Sequence, residues 1–278
     1  MKYIRRVRTL ARIGCIAFFF VCGFVSSSAS QATESRVSIE LEKPVLCQEE
    51  PVLATIRIEN ESPENLDLDL GGDGRDNLKI WITGPDGTRR EGKRVTAGGE
   101  ATFFGSVHLV PGGRYSETIV LSEWFTFDQI GRYEIDVLVR DSRKTGGRAR
   151  PIGGSPVVLE VSAKDTRQLL LSSESLLARI QVAGSSQDAL AAAAALRLVS
   201  DPMVVPLWGR LLANPAFRRT AALRLTQIGN KAAVEALAST LSSDDAEARS
   251  LAEVALQLIA NQTSNPSVRA DAQKALSH

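Results

Sequence analysis

The last third of the chain repeats itself. Phe217-Arg218, followed by Ala221, Leu225 and Ile228, is matched by Ala248-Arg249, Ala252, Leu256 and Ile259 at an offset of 31 residues. Apolar positions three and four apart share one face of a helix. Their recurrence at a fixed period therefore predicts short helices, each needing a neighbour to bury its apolar face. Ala192, Leu196 and Val199 precede the first copy by 29, and Leu207 and Leu211 precede Leu237 and Leu241 by 30, so the turn varies by one residue. A second pairing, Ala195 to Leu198 against Ala222 to Leu225 (both Ala-Leu-Arg-Leu), is offset by 27 and would misalign the next helix. Val268-Arg269, Ala272 and Leu276 resume the motif only 20 residues after Ala248-Arg249, which reads as a capping helix. Asp201-Pro202, Asn214-Pro215 and Asn265-Pro266 each read as a helix start, a capping side chain followed by proline in the first turn.

Val-Arg-x-x-Ala-Ala-x-x-Leu-x-x-Ile-Gly followed by a second helix resembles the short HEAT-like repeats of the phycobilin-lyase type, and Phe217 to Gly229 fits that pattern closely. The resemblance covers residues 186–278 and implies an all-α solenoid. It assigns Arg218, Arg249 and Arg269 to contacts between neighbouring helices. Binding an anionic partner is the other role open to them, but solenoid arginines commonly serve helix ends and packing.

At the other end, Lys2, Arg5, Arg6, Arg8 and Arg12 lead into the apolar run Ile13 to Val25, and small residues follow from Ser26 to Ala32. This is the pattern of a secretory signal peptide over residues 1–32. The run is shorter than the ~20 residues that cross a bilayer as a helix. Removing five of the 33 basic residues leaves 28 against 32 acidic ones, a charge near −4 where the whole chain reads +1. That balance argues against nucleic acid as a partner. Cleavage also removes Cys15 and Cys22 and leaves Cys47 alone, so no internal disulfide can form. Cys47 reads as a buried small residue of a strand in preference to a redox or intermolecular thiol.

Residues 36–162 differ in character. Val37 to Leu41, Val52 to Ile58, Leu66 to Leu70, Leu78 to Ile82, Thr102 to Val110, Ser116 to Leu121, Tyr133 to Val139 and Val157 to Val161 read as strands, separated by glycine- and proline-bearing turns. Leu53, Ile56 and Ile58 do not share one alternating face, which leaves the register of that strand open. The segment Asp128-Gln-Ile-Gly131-Arg-Tyr133 resembles the tyrosine corner of immunoglobulin-like Greek keys, in which the tyrosine bonds back to the backbone. The aspartate stands one residue too far away, and Ile135 occupies the place of the usual cysteine.

Residues able to carry chemistry are few. The two histidines are His108, in a strand pattern, and the terminal His278. A histidine metal site lacks ligands, a serine or cysteine triad lacks a base, and no cofactor motif stands in a strand-to-helix context. Asp67, Asp69, Asp73 and Asp76 with Asn77 could gather oxygens for calcium, but their order does not match an EF-hand, and a solvated hairpin is the preferred reading. Arg140, Arg143, Lys144, Arg148 and Arg150 read as a basic exposed loop that could dock an acidic surface.

The sequence thus leads to a multidomain expectation: a signal peptide (1–32), an all-β immunoglobulin-like sandwich (36–162) and an all-α HEAT-like solenoid (165–278). It anticipates no catalysis and no cofactor, a protein partner without a stable membrane span, and a place in the periplasm or outside a bacterial cell. A scaffolding role would use an exposed strip of Arg219 and Arg224 with Glu247 and Glu253, together with the basic loop from Arg140 to Arg150. A secreted inhibitor or adhesin acting through the sandwich loops is the rival, and a lyase accessory a weaker one. The mature chain should begin near Gln31 or Thr33, which amino-terminal sequencing checks; Met1 intact on membrane-bound material would contradict it.

Overall fold

Alternating apolar residues set the strands. The structure, a computed structural model, describes residues 35–70, 78–92, 106–139, 152–184 and 186–277. Its strands are β1 (Arg36–Leu41), β2 (Val45–Cys47), β3 (Leu53–Glu59), β4 (Leu66–Asp69), β5 (Leu78–Thr83), β6 (Arg89–Glu91), β7 (Ser106–Leu109), β8 (Arg114–Val120), β9 (Gly131–Val139), β10 (Ile152–Gly153) and β11 (Val157–Ser162). They form three sheets: β1-β3-β8, β2-β11-β9-β5-β6 with β10 on β9, and the pair β4-β7. All pairings are antiparallel except β2 with β11. Leu78, Ile80 and Ile82 of β5 and Tyr133, Ile135, Val137 and Val139 of β9 turn one side of the large sheet inward. The Tyr133 hydroxyl donates to the Gln129 carbonyl at 2.9 Å and accepts from the Gln129 N–H at 3.1 Å, so the tyrosine ties its strand back to the preceding turn.

Seven α-helices follow: α1 (Thr166–Ala183), α2 (Gln187–Leu198), α3 (Val205–Leu211), α4 (Arg218–Ile228), α5 (Lys231–Thr240), α6 (Ala246–Gln262) and α7 (Pro266–Leu276). Asp165, Ser186, Asn230, Asp245 and Asn265 accept backbone N–H bonds as N-caps of α1, α2, α5, α6 and α7, which satisfies donors that the first turn of a helix leaves open. Asp201 caps a single 3-10 turn at Pro202–Val204. Asn214-Pro215 begins no helix: Asn214 Oδ1 and carbonyl hold a turn through Ala216, Phe217 and Arg218, and α4 starts after it. Gly229 then ends α4 in the left-handed region at φ +53°, where a side chain would be strained.

Two expectations are corrected here. Among the described residues the fold is a mixed α and β structure with eleven strands in three sheets, and neither an all-α HEAT-like solenoid nor an immunoglobulin-like sandwich stands as a separate body. The described residues all fall within one compact unit. The hydrophobic cluster that runs through the helices also contains Cys47, Leu53 and Val120 from β2, β3 and β8, and α2 packs directly on β8. The helices are also unequal, from 7 residues in α3 to 18 in α1, which does not fit a uniform stack. The equivalences in the sequence do describe local packing, since Leu225 and Leu256 are both fully buried and α4 lies against α6.

Strand β3 explains why its alternation was irregular. Ala54, Ile56 and Ile58 face the sheet core, whereas Leu53, one residue before them, faces the helices. Ile119 and Val120 on β8, and Leu46 and Cys47 on β2, divide in the same way. Each of these strand ends is buried on both sides, as a sheet must be where helices cover its second face. Leu53→Ala should therefore destabilise the protein by about 2 to 5 kcal/mol. Circular dichroism should show helix and sheet signals lost in one transition, and separate transitions would contradict the shared core.

Candidate functional site

A cleft lies between the segment Glu42 to Leu53 and helix α1, with Leu46, Pro51, Leu53 and Leu176 as its apolar part and Lys43, Glu50, Ser172 and Arg179 as its polar part. The turn after β2 puts Glu49 at φ +69°, a conformation rare for a residue with a side chain. It directs Glu50 into the protein, where the carboxylate is 1% exposed. Four groups donate to it: Lys43 Nζ at 2.8 Å, Gln168 Nε2 at 2.8 Å, the Cys47 N–H at 3.2 Å, and the Ser172 hydroxyl in a short contact. Burial by itself pushes the Glu50 carboxyl up, but the bonds from Lys43, Ser172 and Cys47 outweigh it and hold the group below the usual carboxylate range.

Lysine, serine and glutamate within hydrogen-bond reach resemble the parts of a nucleophilic dyad. Their hydrogen bonds run the other way, from Lys43 to the serine oxygen and from the serine hydroxyl to Glu50. Lys43 Nζ lies 2.8 Å from both Glu50 Oε1 and Ser172 Oγ and donates to both. Ser172 spends its own hydrogen on Glu50. The trio joins the turn after β2 to α1, and bonds around it extend the join: Lys164 Nζ lies 2.9 Å from both Glu49 and Asp201, and Arg179 contacts Glu42 at 2.6 Å as well as Asp188. Cys47 is buried and free, and its thiol lies 3.6 Å from the Asp165 carbonyl. Burial pushes its pKa up, against the smaller opposing effect of that bond.

The residues anticipated for partner binding are spread unevenly. Arg219 is exposed on α4. Arg224, expected beside it, is half-buried and donates to the Val199 carbonyl at 3.2 Å. Glu247 is exposed at the start of α6 and accepts from Arg218 at 3.0 Å, while Glu253 accepts from Gln257 at 3.4 Å. Arg218, buried at the start of α4, also binds Asp245 at 2.8 Å and so fixes the beginnings of α4 and α6 together. Arg249 and Arg269 bond back to the carbonyls of Ser243 and Thr263. Arg140, Arg143, Lys144, Arg148 and Arg150, with Asp73, Asp76 and Asn77 of the acidic cluster and the leader 1–32, lie outside the described residues. Asp67 on β4 faces His108 on β7 across the ladder and contacts its ring. Among the described residues there is no group of side chains placed to hold a metal and no helix long and apolar enough to cross a membrane.

Sequence reasoning passed over the apolar side chains on the outer face of the same helices. Leu223 on α4 is 54% exposed, and Val254 and Leu258 on α6 are 50% and 39% exposed. Leu223 and Val254 are 31 residues apart, the offset that relates the buried Leu225 and Leu256, so they occupy equivalent outward positions on adjacent helices. The repeat itself carried that signal.

No protein-family model matches the chain, and no curated protein does. Among solved structures, the CARDB domain of a Pyrococcus furiosus protein in complex with di-metal ions aligns at 14% identity, covering 47% of this chain and 94% of that one, with a TM-score of 0.29. The sporulation control protein Spo0M of Bacillus subtilis aligns at 14% identity over 52% of this chain and 56% of that one, with a TM-score of 0.30. The Pseudomonas fluorescens alkylpurine DNA glycosylase AlkC bound to abasic-site DNA aligns at 13% identity over 47% of this chain and 31% of that one, with a TM-score of 0.31. Likenesses this slight say nothing of ligand or activity.

Because the Glu50 pKa is depressed in the folded state, its contribution is present above the ordinary carboxylate value and is lost as pH falls through the folded value. Denaturant unfolding should show stability declining below about pH 4.5, and Glu50→Gln should lower neutral-pH stability by about 1 to 3 kcal/mol while flattening that decline. An unchanged acid limb in Glu50→Gln would remove Glu50 from this role.

Proposed function

We propose that this protein is an exported, non-enzymatic binding or scaffolding component of the bacterial cell envelope that holds a protein partner on the outer face of α4 and α6. The observation that carries the reading is the pair Leu223 and Val254, exposed at equivalent positions on two packed helices, with Leu258 exposed one turn further along α6. Single exposed apolar side chains are ordinary, but a set aligned across adjacent elements offers a dry contact centre. Arg219 and Glu247 lie on the same two helices, and charge of both signs around an apolar centre suits a protein surface better than nucleic acid or lipid. Rigid support comes from the Arg218 bonds that hold the starts of α4 and α6 together. Export rests on the basic and apolar leader of the sequence.

The double variant Leu223→Glu with Val254→Glu should keep its folding stability within about 1 kcal/mol, because both side chains are half exposed. In cross-linking from envelope extracts it should lose the partner that the wild-type chain captures, and Arg219→Glu should weaken the same capture. Full capture by the double variant would move the contact to the basic stretch of sequence from Arg140 to Arg150, or to the described loops of the β region.

A further inference from the structure

The two copies of Ala-Leu-Arg-Leu have a consequence independent of the repeat register. Arg197 stands in the last turn of α2. Arg224, in the corresponding tetrapeptide on α4, reaches across to the end of the same helix: its Nη2 donates at 3.2 Å to the carbonyl of Val199, two residues beyond Arg197. Among the described residues the carboxylate in contact with this pair is Glu123, buried in the 3-10 turn after β8, with an oxygen 3.4 Å from Arg197 Nη2. The acceptors that Arg224 contacts are neutral, the Val199 carbonyl and the Gln227 side-chain oxygen at 3.4 Å. The Nε of each arginine is buried without an acceptor.

Among the described residues, Arg197 thus meets a carboxylate while Arg224 meets only neutral acceptors. Burial, and then the neighbouring charge of Arg197, disfavour the charged form of Arg224 and lower its pKa. The carbonyl end of α2 offsets some of this, but such dipole interactions contribute only about 0.3 to 1 kcal/mol. Removing a cation from water costs several times as much unless it is paired. Arg197 keeps 22% of its side chain exposed, so the pair remains open to solvent. Planar guanidinium groups bind carboxylate or phosphate through paired N–H bonds.

We propose that Arg197 and Arg224 together form a binding site for an oxyanion, a carboxylate or phosphate group bridged by the two guanidiniums. The site is separate from the Leu223–Val254 face and does not depend on the function proposed for it. Its occupant supplies the anionic acceptor that Arg224 lacks among the described residues.

The test is a titration of the full chain at low ionic strength, in separate arms with inorganic phosphate and with N-acetylglutamate, read from the arginine Nε–Hε NMR resonances. The Arg197 and Arg224 signals should shift together and saturate. A lower midpoint for phosphate would identify a site for free phosphate, and a lower midpoint for N-acetylglutamate one for an acidic side chain. Arg224→Lys keeps the charge and loses the fork, and its midpoint should rise about tenfold. Resonances that stay in place up to tens of millimolar of either anion, shifts that never saturate, or an unchanged midpoint in Arg224→Lys would each overturn the site. Because the titration reads the wild-type protein directly, it decides the matter even if the variant fails to fold.

Discussion

Everything in this fold depends on three strand ends being buried from both sides. Cys47, Leu53 and Val120 point into the helices while the residues beside them, Leu46, Ala54 and Ile119, point into the sheet core. Burying an aliphatic side chain of this size contributes about 1.5 to 3 kcal/mol. Here that burial exists only when strands and helices are both in place. The sheet core is built from β-region residues alone, whereas the helical core includes these three strand residues, and that shared boundary separates the molecule from a sandwich with a helical appendage.

Polar groups at the same boundary give the joint its direction. Apolar contact tolerates sliding, whereas a buried carboxylate with four donors has essentially one arrangement that satisfies it. Glu50 accepts from one donor on its own turn, one at Lys43 and two on α1. Misplacing α1 by a fraction of a turn would leave a charge uncompensated, which is far more expensive than a poor apolar contact. The nearby pairs of Lys164 and Arg179 are more exposed and contribute less individually. They surround a contact whose geometry Glu50 already fixes. The constellation has the residue types of catalytic machinery, but its hydrogen bonds join the turn after β2 to α1, with the Ser172 hydroxyl donating to Glu50.

Much of the β region was legible because alternation is a strong signal. The eight strands anticipated from the pattern correspond in position to β1, β3, β4, β5, β7, β8, β9 and β11. The strands missed, β2, β6 and β10, are two or three residues long, too short for any period to register. The irregular faces of Leu53, Ile56 and Ile58 were visible, but a break in alternation read in isolation gives no hint of what covers the second side. In the helical part, local spacing located the buried residues correctly while the inference to a free-standing solenoid failed, because nearest-neighbour similarity says nothing about what the first helices rest on. Arg224 shows the same limit at the scale of one side chain. Its place on the helix suggested an outward charge, yet an arginine is long enough to turn back and reach the end of α2.

The parallel pairing of β2 with β11 has a kinetic side. Ser162 Oγ reaches the Leu46 carbonyl across 116 residues of chain, and the helices that cover Cys47 and Leu53 lie later still. A chain made from its amino terminus therefore exposes the strand ends well before their covering exists, and loop closure over such a span is slow. During that interval the β region carries an unfinished apolar face, and its chief hazard is association with another unfinished copy. The charged turn beside it, with Glu49, Glu50 and Lys43 close to the exposed patch, places repulsive and strongly hydrated groups where such an encounter would begin.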